Sequence, residues 1–201
     1  MLTVAFQGRF EPLYQRVKAL LEGGELGPIQ RCEIVETFWR SSAYYRSDVW
    51  RATWHGEGGG VVLNQAAHVL DRYLWLCGVP KSVMAFCDTV LHAIDVEDTA
   101  TAVMRHENGT HGWVHVNTTE CPDLSRTVII CDRGRITVQD GVMKVDQLEE
   151  SIRARTEGTQ DLFGSIENRK VSVQERLIES ASELLVRLYE NVALAIAGRH
   201  E

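Results

Sequence analysis

Apolar residues recur along this chain in two rhythms, one of helices and one of strands. Leu13, Val17, Leu20 and Leu21 fall at helical spacing after Arg9-Phe10-Glu11-Pro12. Proline suits a first helical turn, since its fixed φ fits there and its missing N–H is not needed. Gly23-Gly24 ends the run and Gly27-Pro28 turns the chain, after which Ile29 to Phe38 reads as a long strand. A shorter β-like run, Leu2 to Phe6, comes first; its abrupt start suggests a preceding portion. Helical spacing returns through Val61, Val62, Leu63, Ala66, Val69, Leu70 and Leu74, which suit burial, and continues to Cys77. On the other side of that helix Asn64 and His68 stand at i and i+4.

After Gly78-Val79-Pro80 the period becomes two. Ser82 to Leu91, Asp98 to His106, Thr110 to Thr118, Ser125 to Cys131 and Arg135 to Gln139 all read as strands, followed by a weaker one, Val142 to Val145. Asn108-Gly109, Cys121-Pro122-Asp123, Arg133-Gly134 and Asp140-Gly141 separate them. Asn-Gly and Asp-Gly are hairpin signals because both residues tolerate positive φ. Gln147 to Val171 has little periodicity and reads as a surface excursion. Ser172-Val173-Gln174-Glu175 has the form of a capping box. Leu177, Ala181, Leu184, Leu185, Leu188, Val192 and Ile196 then trace one face of a long helix closed by Gly198. The expected fold is α+β, a mostly antiparallel open sheet with helices packed on one face. Residues 1–201 form a single domain, with the excursion around 147–171 and the C-terminal helix around 173–198.

Composition narrows the partners. A net charge of -7 argues against nucleic acid and anionic membrane surfaces. No run approaches the roughly 18 apolar residues of a membrane helix, and no secretory leader is visible. The five cysteines are odd in number and form no CxxC pair, which fits reduced thiols in a cytoplasmic protein.

Candidate chemistry gathers where the glycines meet the central helix. Gly58-Gly59-Gly60 is a poor helix start, each glycine costing about 1 kcal/mol against alanine. The missing Cβ atoms let backbone N–H groups and a ligand approach closely, at the end of a helix that carries partial positive charge. Asn64 and His68 above that turn form a candidate site; the alternative is a hydrogen-bonded structural histidine. Upstream, Trp39, Arg40, Tyr44, Tyr45, Arg46, Trp50, Arg51, Trp54 and His55 make an aromatic, arginine-bearing loop. Such a loop either stacks on and hydrogen-bonds a polyhydroxylated ring or plugs the helix against the sheet. His111, Trp113, His115 and Asn117 share one strand face, with Gly112, Val114 and Val116 on the other. Residues four apart on a strand lie roughly 13 Å apart, so this is a poor metal site and none is assigned. A polar sheet face that meets substrate or another subunit suits the pattern better. The chain has neither G-x-G-x-x-G nor G-x-x-x-x-G-K-[ST], so it carries no nucleotide-binding fingerprint.

Gly58-Gly59-Gly60, an apolar run, Asn64 and His68 four residues on resemble the C-terminal substrate domain of the Gfo/Idh/MocA family of sugar and inositol dehydrogenases. The order Arg-Phe-x-Pro, helix, Gly-Glu-Leu-Gly, strand resembles it too, so the likeness covers nearly the whole chain. It implies a dihydrodipicolinate-reductase or glucose-fructose-oxidoreductase C-terminal-domain-like fold, whose open sheet face pairs subunits into a homo-oligomer. It implies NAD or NADP bound mainly by an N-terminal Rossmann domain ending in Glu-Lys-Pro, with Gly59 and Gly60 as this chain's contacts to the cofactor. His68 would then be the acid/base at the hydroxyl of a small-molecule polyol or sugar, and Asn64 a hydrogen-bonding partner where many relatives carry Asp. Arg9, Tyr14, Tyr44, Tyr45, Trp50, Arg51 and Trp54 are the candidate substrate contacts, and this chain alone is expected to be inactive. A redox-silent sugar-binding or dimerisation module is the alternative; eliminative glycoside cleavage is a third.

Overall fold

A computed structural model describes residues 4–163, 171–176 and 181–199. Among the described residues eight strands form one sheet in the order β2-β3-β4-β1-β5-β6-β7-β8. They are β1 (Ile29–Thr37), β2 (Ser82–Asp88), β3 (Thr99–Arg105), β4 (His111–Asn117), β5 (Ser125–Cys131), β6 (Gly134–Gln139), β7 (Val142–Gln147) and β8 (Val171–Arg176). Every neighbouring pair is antiparallel except β1 with β4, which run parallel from Arg31↔His111 to Thr37↔Asn117. The helices are α1 (Pro12–Glu22), the short α2 (Ser42–Tyr45), α3 (Ala67–Cys77), α4 (Ile152–Gly158) and α5 (Ala181–Ile196). Among the described residues no helix is long and apolar enough to cross a membrane.

The period-two pattern decides which sheet face is covered. Cys32 and Ile34 of β1, Val114 and Val116 of β4, Ile129 and Cys131 of β5 and Ile136 and Val138 of β6 are buried in one core with Leu13, Tyr14 and Val17 of α1 and Val69, Tyr73 and Leu76 of α3. Removing this apolar surface from water is the dominant favourable contribution to the fold. The other face is open. It carries Met84, Phe86 and Val103, all exposed, the stacked pair Trp113 and His115, and the ion pairs of Glu33 with Arg31 and Arg126. The ring nitrogens of His115 meet Thr101 Oγ1 at 2.8 Å and Asn117 Nδ2 at 3.0 Å.

The expected hairpins form. Gly109, at φ 83°, follows Asn108 between β3 and β4, and Asp140-Gly141, at φ 50° and 76°, joins β6 to β7. The expected strand from Ser82 to Leu91 stops at Asp88, because the N–H groups of Val90, Leu91 and His92 all turn to the Asp98 carboxylate at 2.8, 3.0 and 2.9 Å. Burial opposes the charge on Asp98, but these N–H groups outweigh it and hold the carboxyl below its usual range.

Further expectations are corrected. Ser172 to Glu175 does not cap a helix: residues 171–176 complete the sheet as β8, pairing from Val142↔Arg176 to Gln147↔Val171. The backbone groups along the edge of β7 find partners there, a demand no local capping signal registers. Helix α5 is described over Ala181–Ile196, with Leu184 and Leu188 buried, and Gly198 at φ 68° follows it; Leu177 lies outside the described residues. The β-like run Leu2 to Phe6 is not a strand over residues 4–6, which lead into a 3₁₀ turn at Gln7–Phe10; residues 1–3 lie outside the described residues. The central helix begins at Ala67, not at the glycines, so Asn64 sits in the turn that precedes it. The excursion after Gln147 also holds α4, capped by Ser151 Oγ, which accepts from Ala154 N–H at 3.0 Å.

Candidate functional site

The glycine turn is closed from within the chain. Glu97 Oε1 accepts the N–H groups of Gly60 and Val62 at 2.9 and 3.0 Å, and the Glu97 carbonyl accepts that of Val61 at 2.9 Å. A Cβ on Gly60 would run into the Glu97 carbonyl oxygen. The glycine is therefore required for the approach of the Glu97 backbone, and its N–H, expected to face a cofactor, is occupied by a carboxylate. Gly60→Ala is expected to cost about 1–3 kcal/mol of stability, the scale of an overpacked interior. A lowered urea midpoint would show it; an unchanged midpoint would mean the loop around Glu97 yields.

Just beyond the turn, His68 projects from the first turn of α3 and is exposed, its ring edge-on to Phe6 with centroids 5.8 Å apart. Asn64 donates its Nδ2–H to Glu57 Oε1, and the other oxygen of Glu57 accepts the Ala52 N–H at 2.7 Å. Around a nearby cavity of about 610 Å³ stand Phe6, Trp54, Gly58, Gly59, Leu63, Ala67, Leu70, Leu74 and Asp71, but neither His68 nor Asn64. Leu63 and Leu74, expected in the core, are exposed there. The cavity thus lies on the apolar side of the helix, and the polar pair must be judged on its own surroundings.

The aromatic loop resolves into inward and outward members. Tyr44 is its hub: its hydroxyl accepts from Arg51 Nη1 at 2.9 Å and Gln65 Nε2 at 3.2 Å, while the guanidinium of Arg51 lies 4.6 Å from the Tyr44 ring and 4.5 Å from that of Trp50. Trp50 and Trp54 are exposed. Tyr45 is buried, its hydroxyl 2.7 Å from Thr118 Oγ1 and its ring against His92. The inward role falls to Tyr45, while Trp50 and Trp54 stay at the surface.

Arg9 and Tyr14 serve the scaffold. Arg9 grips Asp71 through two hydrogen bonds of 2.8 and 2.5 Å, and these raise the pKa of the guanidinium. Tyr14 is only 4% exposed and has the Arg72 guanidinium 4.3 Å from its ring. Arg72 also pairs with Glu36 on β1, beside Glu11, whose carboxyl burial pushes up. Asp71, Arg72, Glu57 and Glu97 were missed by the sequence reading. Asp71 alone carried a local signal, three residues after His68 on one helix face.

The family model of the GFO/IDH/MocA C-terminal domain matches residues 14–137, more than half of the chain. The chain belongs to that family. Solved structures extend the likeness. The WlbA dehydrogenase from Bordetella pertussis, in complex with NADH and UDP-GlcNAcA, is 26% identical with a TM-score of 0.72, over 100% of this chain and 53% of that one. The Chromobacterium violaceum WlbA dehydrogenase, with the same two ligands, is 27% identical with a TM-score of 0.69, over 78% of this chain and 46% of that one. Levoglucosan dehydrogenase in complex with NADH, 18% identical, shares the fold with a TM-score of 0.80, over 98% of this chain and 57% of that one. No curated protein matches by sequence. This GFO/IDH/MocA domain spans about half the length of the structures it resembles.

Proposed function

We propose that this chain is the substrate half of an NAD(P)-dependent oxidoreductase acting at a hydroxyl of a sugar, inositol or sugar derivative. The observation that carries the reading is the family match, across which the glycine turn, Asn64 and His68 all fall. The two WlbA structures, which hold NADH and a sugar nucleotide, support it at 26% and 27% identity. His68 is free to face a substrate and takes the hydroxyl proton as hydride leaves the adjacent carbon, work that suits an imidazole near neutral pH. Asn64 hydrogen-bonds that hydroxyl or its neighbour. The guanidinium of Arg51 and the exposed rings of Trp50 and Trp54 offer stacking surface and N–H donors to the sugar. Glu97 holds the N–H groups of Gly60, Val61 and Val62, so Gly60 has none to offer a dinucleotide, which belongs mainly to the rest of the protein, where the nicotinamide supplies the hydride acceptor. The exposed apolar residues of the open sheet face, Met84, Phe86 and Val103, suit burial against a second copy.

The test is to assay the complete protein and this chain in parallel, following nicotinamide absorbance with NAD and NADP over a panel of sugars and sugar nucleotides. The complete protein is expected to reduce one cofactor and this chain neither. Sugar binding without reduction by the complete protein would favour the redox-silent module, and reduction by this chain alone would overturn the division of labour.

A further inference from the structure

Two consecutive residues at the end of the glycine turn, Asn64 and Gln65, are each tied to the aromatic loop, by different groups. Gln65 donates to the Tyr44 hydroxyl at 3.2 Å, and Asn64 donates to the Glu57 carboxylate, whose second oxygen holds the Ala52 N–H at 2.7 Å. Ala52 has φ 55°, an uncommon conformation for a residue with a Cβ, and its carbonyl accepts from Asp95 N–H at 3.2 Å. Strained backbone of this kind persists where its surroundings fix it and clusters at ligand clamps. Here Glu57 fixes it on one side. The residue before it is Arg51, stacked between Tyr44 and Trp50.

A carboxylate only accepts hydrogen bonds, so the atom of Asn64 that faces Glu57 is its amide nitrogen. The amide oxygen, which accepts but cannot donate, is then left to take a hydrogen bond from a substrate hydroxyl, beside the second amide hydrogen. An aspartate at position 64 would instead set two carboxylates together, each disfavouring the other's charge. We propose that Glu57 is a positioning residue: it sets the orientation of the Asn64 amide and couples it to the strained loop that carries Arg51 and Trp50. The proposal rests on the reading of Asn64 as a hydroxyl contact, and it accounts for asparagine at that position.

The amide group of Asn64 tests it directly. In the uniformly ¹⁵N-labelled protein, the Asn64 side-chain amide signals, assigned by their loss in Asn64→Ser, are expected to shift as one carboxyl group titrates. In Glu57→Gln that titration should vanish from them. Amide signals in the unsubstituted protein that follow no carboxyl titration would overturn the proposal without any Glu57 variant, as would a titration that survives Glu57→Gln. In the complete enzyme, Glu57→Gln is expected to raise KM about tenfold while kcat falls less. In an Asn64→Ala background the same substitution should change KM by less than twofold, whereas an equal tenfold loss there would mean that Glu57 merely supports the fold. An enzyme with no dehydrogenase activity would remove the hydride-transfer reading and leave the amide titration to decide the role of Glu57.

Discussion

Replacing His68 with alanine in the complete protein is expected to lower turnover by roughly 100-fold or more, the usual scale for loss of a general acid/base. The ring lies exposed beside Phe6, outside the buried core, so removing it should leave the urea midpoint within the narrow range of surface substitutions. The two measurements together separate chemistry from folding. A loss of only a few-fold in kcat would take the proton-transfer role away from His68.

The second large effect is on stability. Arg72 is 7% exposed, faces Glu36 across the gap between α3 and β1, and lies over the Tyr14 ring. Arg72→Met should cost about 3–5 kcal/mol, because Glu36 keeps a charge that has lost its partner in a poorly solvated place. Glu36→Met should be similarly costly alone. The double substitution is expected to recover most of the loss, since an apolar pair of like volume leaves no buried charge unmatched. Urea unfolding of the three variants checks this; simple addition of the two losses would show that the residues act separately.

The sheet was legible because its signals are local. Alternation along β4 put Val114 and Val116 in the core and His111, Trp113 and His115 on the open side, and Asn108-Gly109 and Asp140-Gly141 marked their turns. The interior of the candidate site was not legible, because its bonds join residues far apart in the chain. Arg9 finds Asp71 across 62 positions, and Gly60 finds Glu97 across 37. A glycine run therefore looked like a cradle for a ligand when part of it is a seat for a distant loop. The start of α3 was misread for the same reason: once Glu97 takes the N–H groups of Gly60, Val61 and Val62, the chain reaches helical geometry only at Ala67. The ladder that makes β8 likewise depends on an edge that the residues around Ser172 do not encode.

Strand β1 is made early in the chain yet lies mid-sheet, with β4 on one side and β5 on the other. Two ladders, β2-β3-β4 and β5-β6-β7, each join strands that are neighbours in sequence, but neither holds to the other except through β1. Its partners on β4 start about eighty positions downstream, so the ordering entropy of a long intervening loop has to be met before that contact gives anything back. During synthesis the strand waits for β4, and its second edge waits longer for β5. Seating β1 is then the event that turns two meanders into one cooperative sheet, and the length of that loop is expected to make it slow.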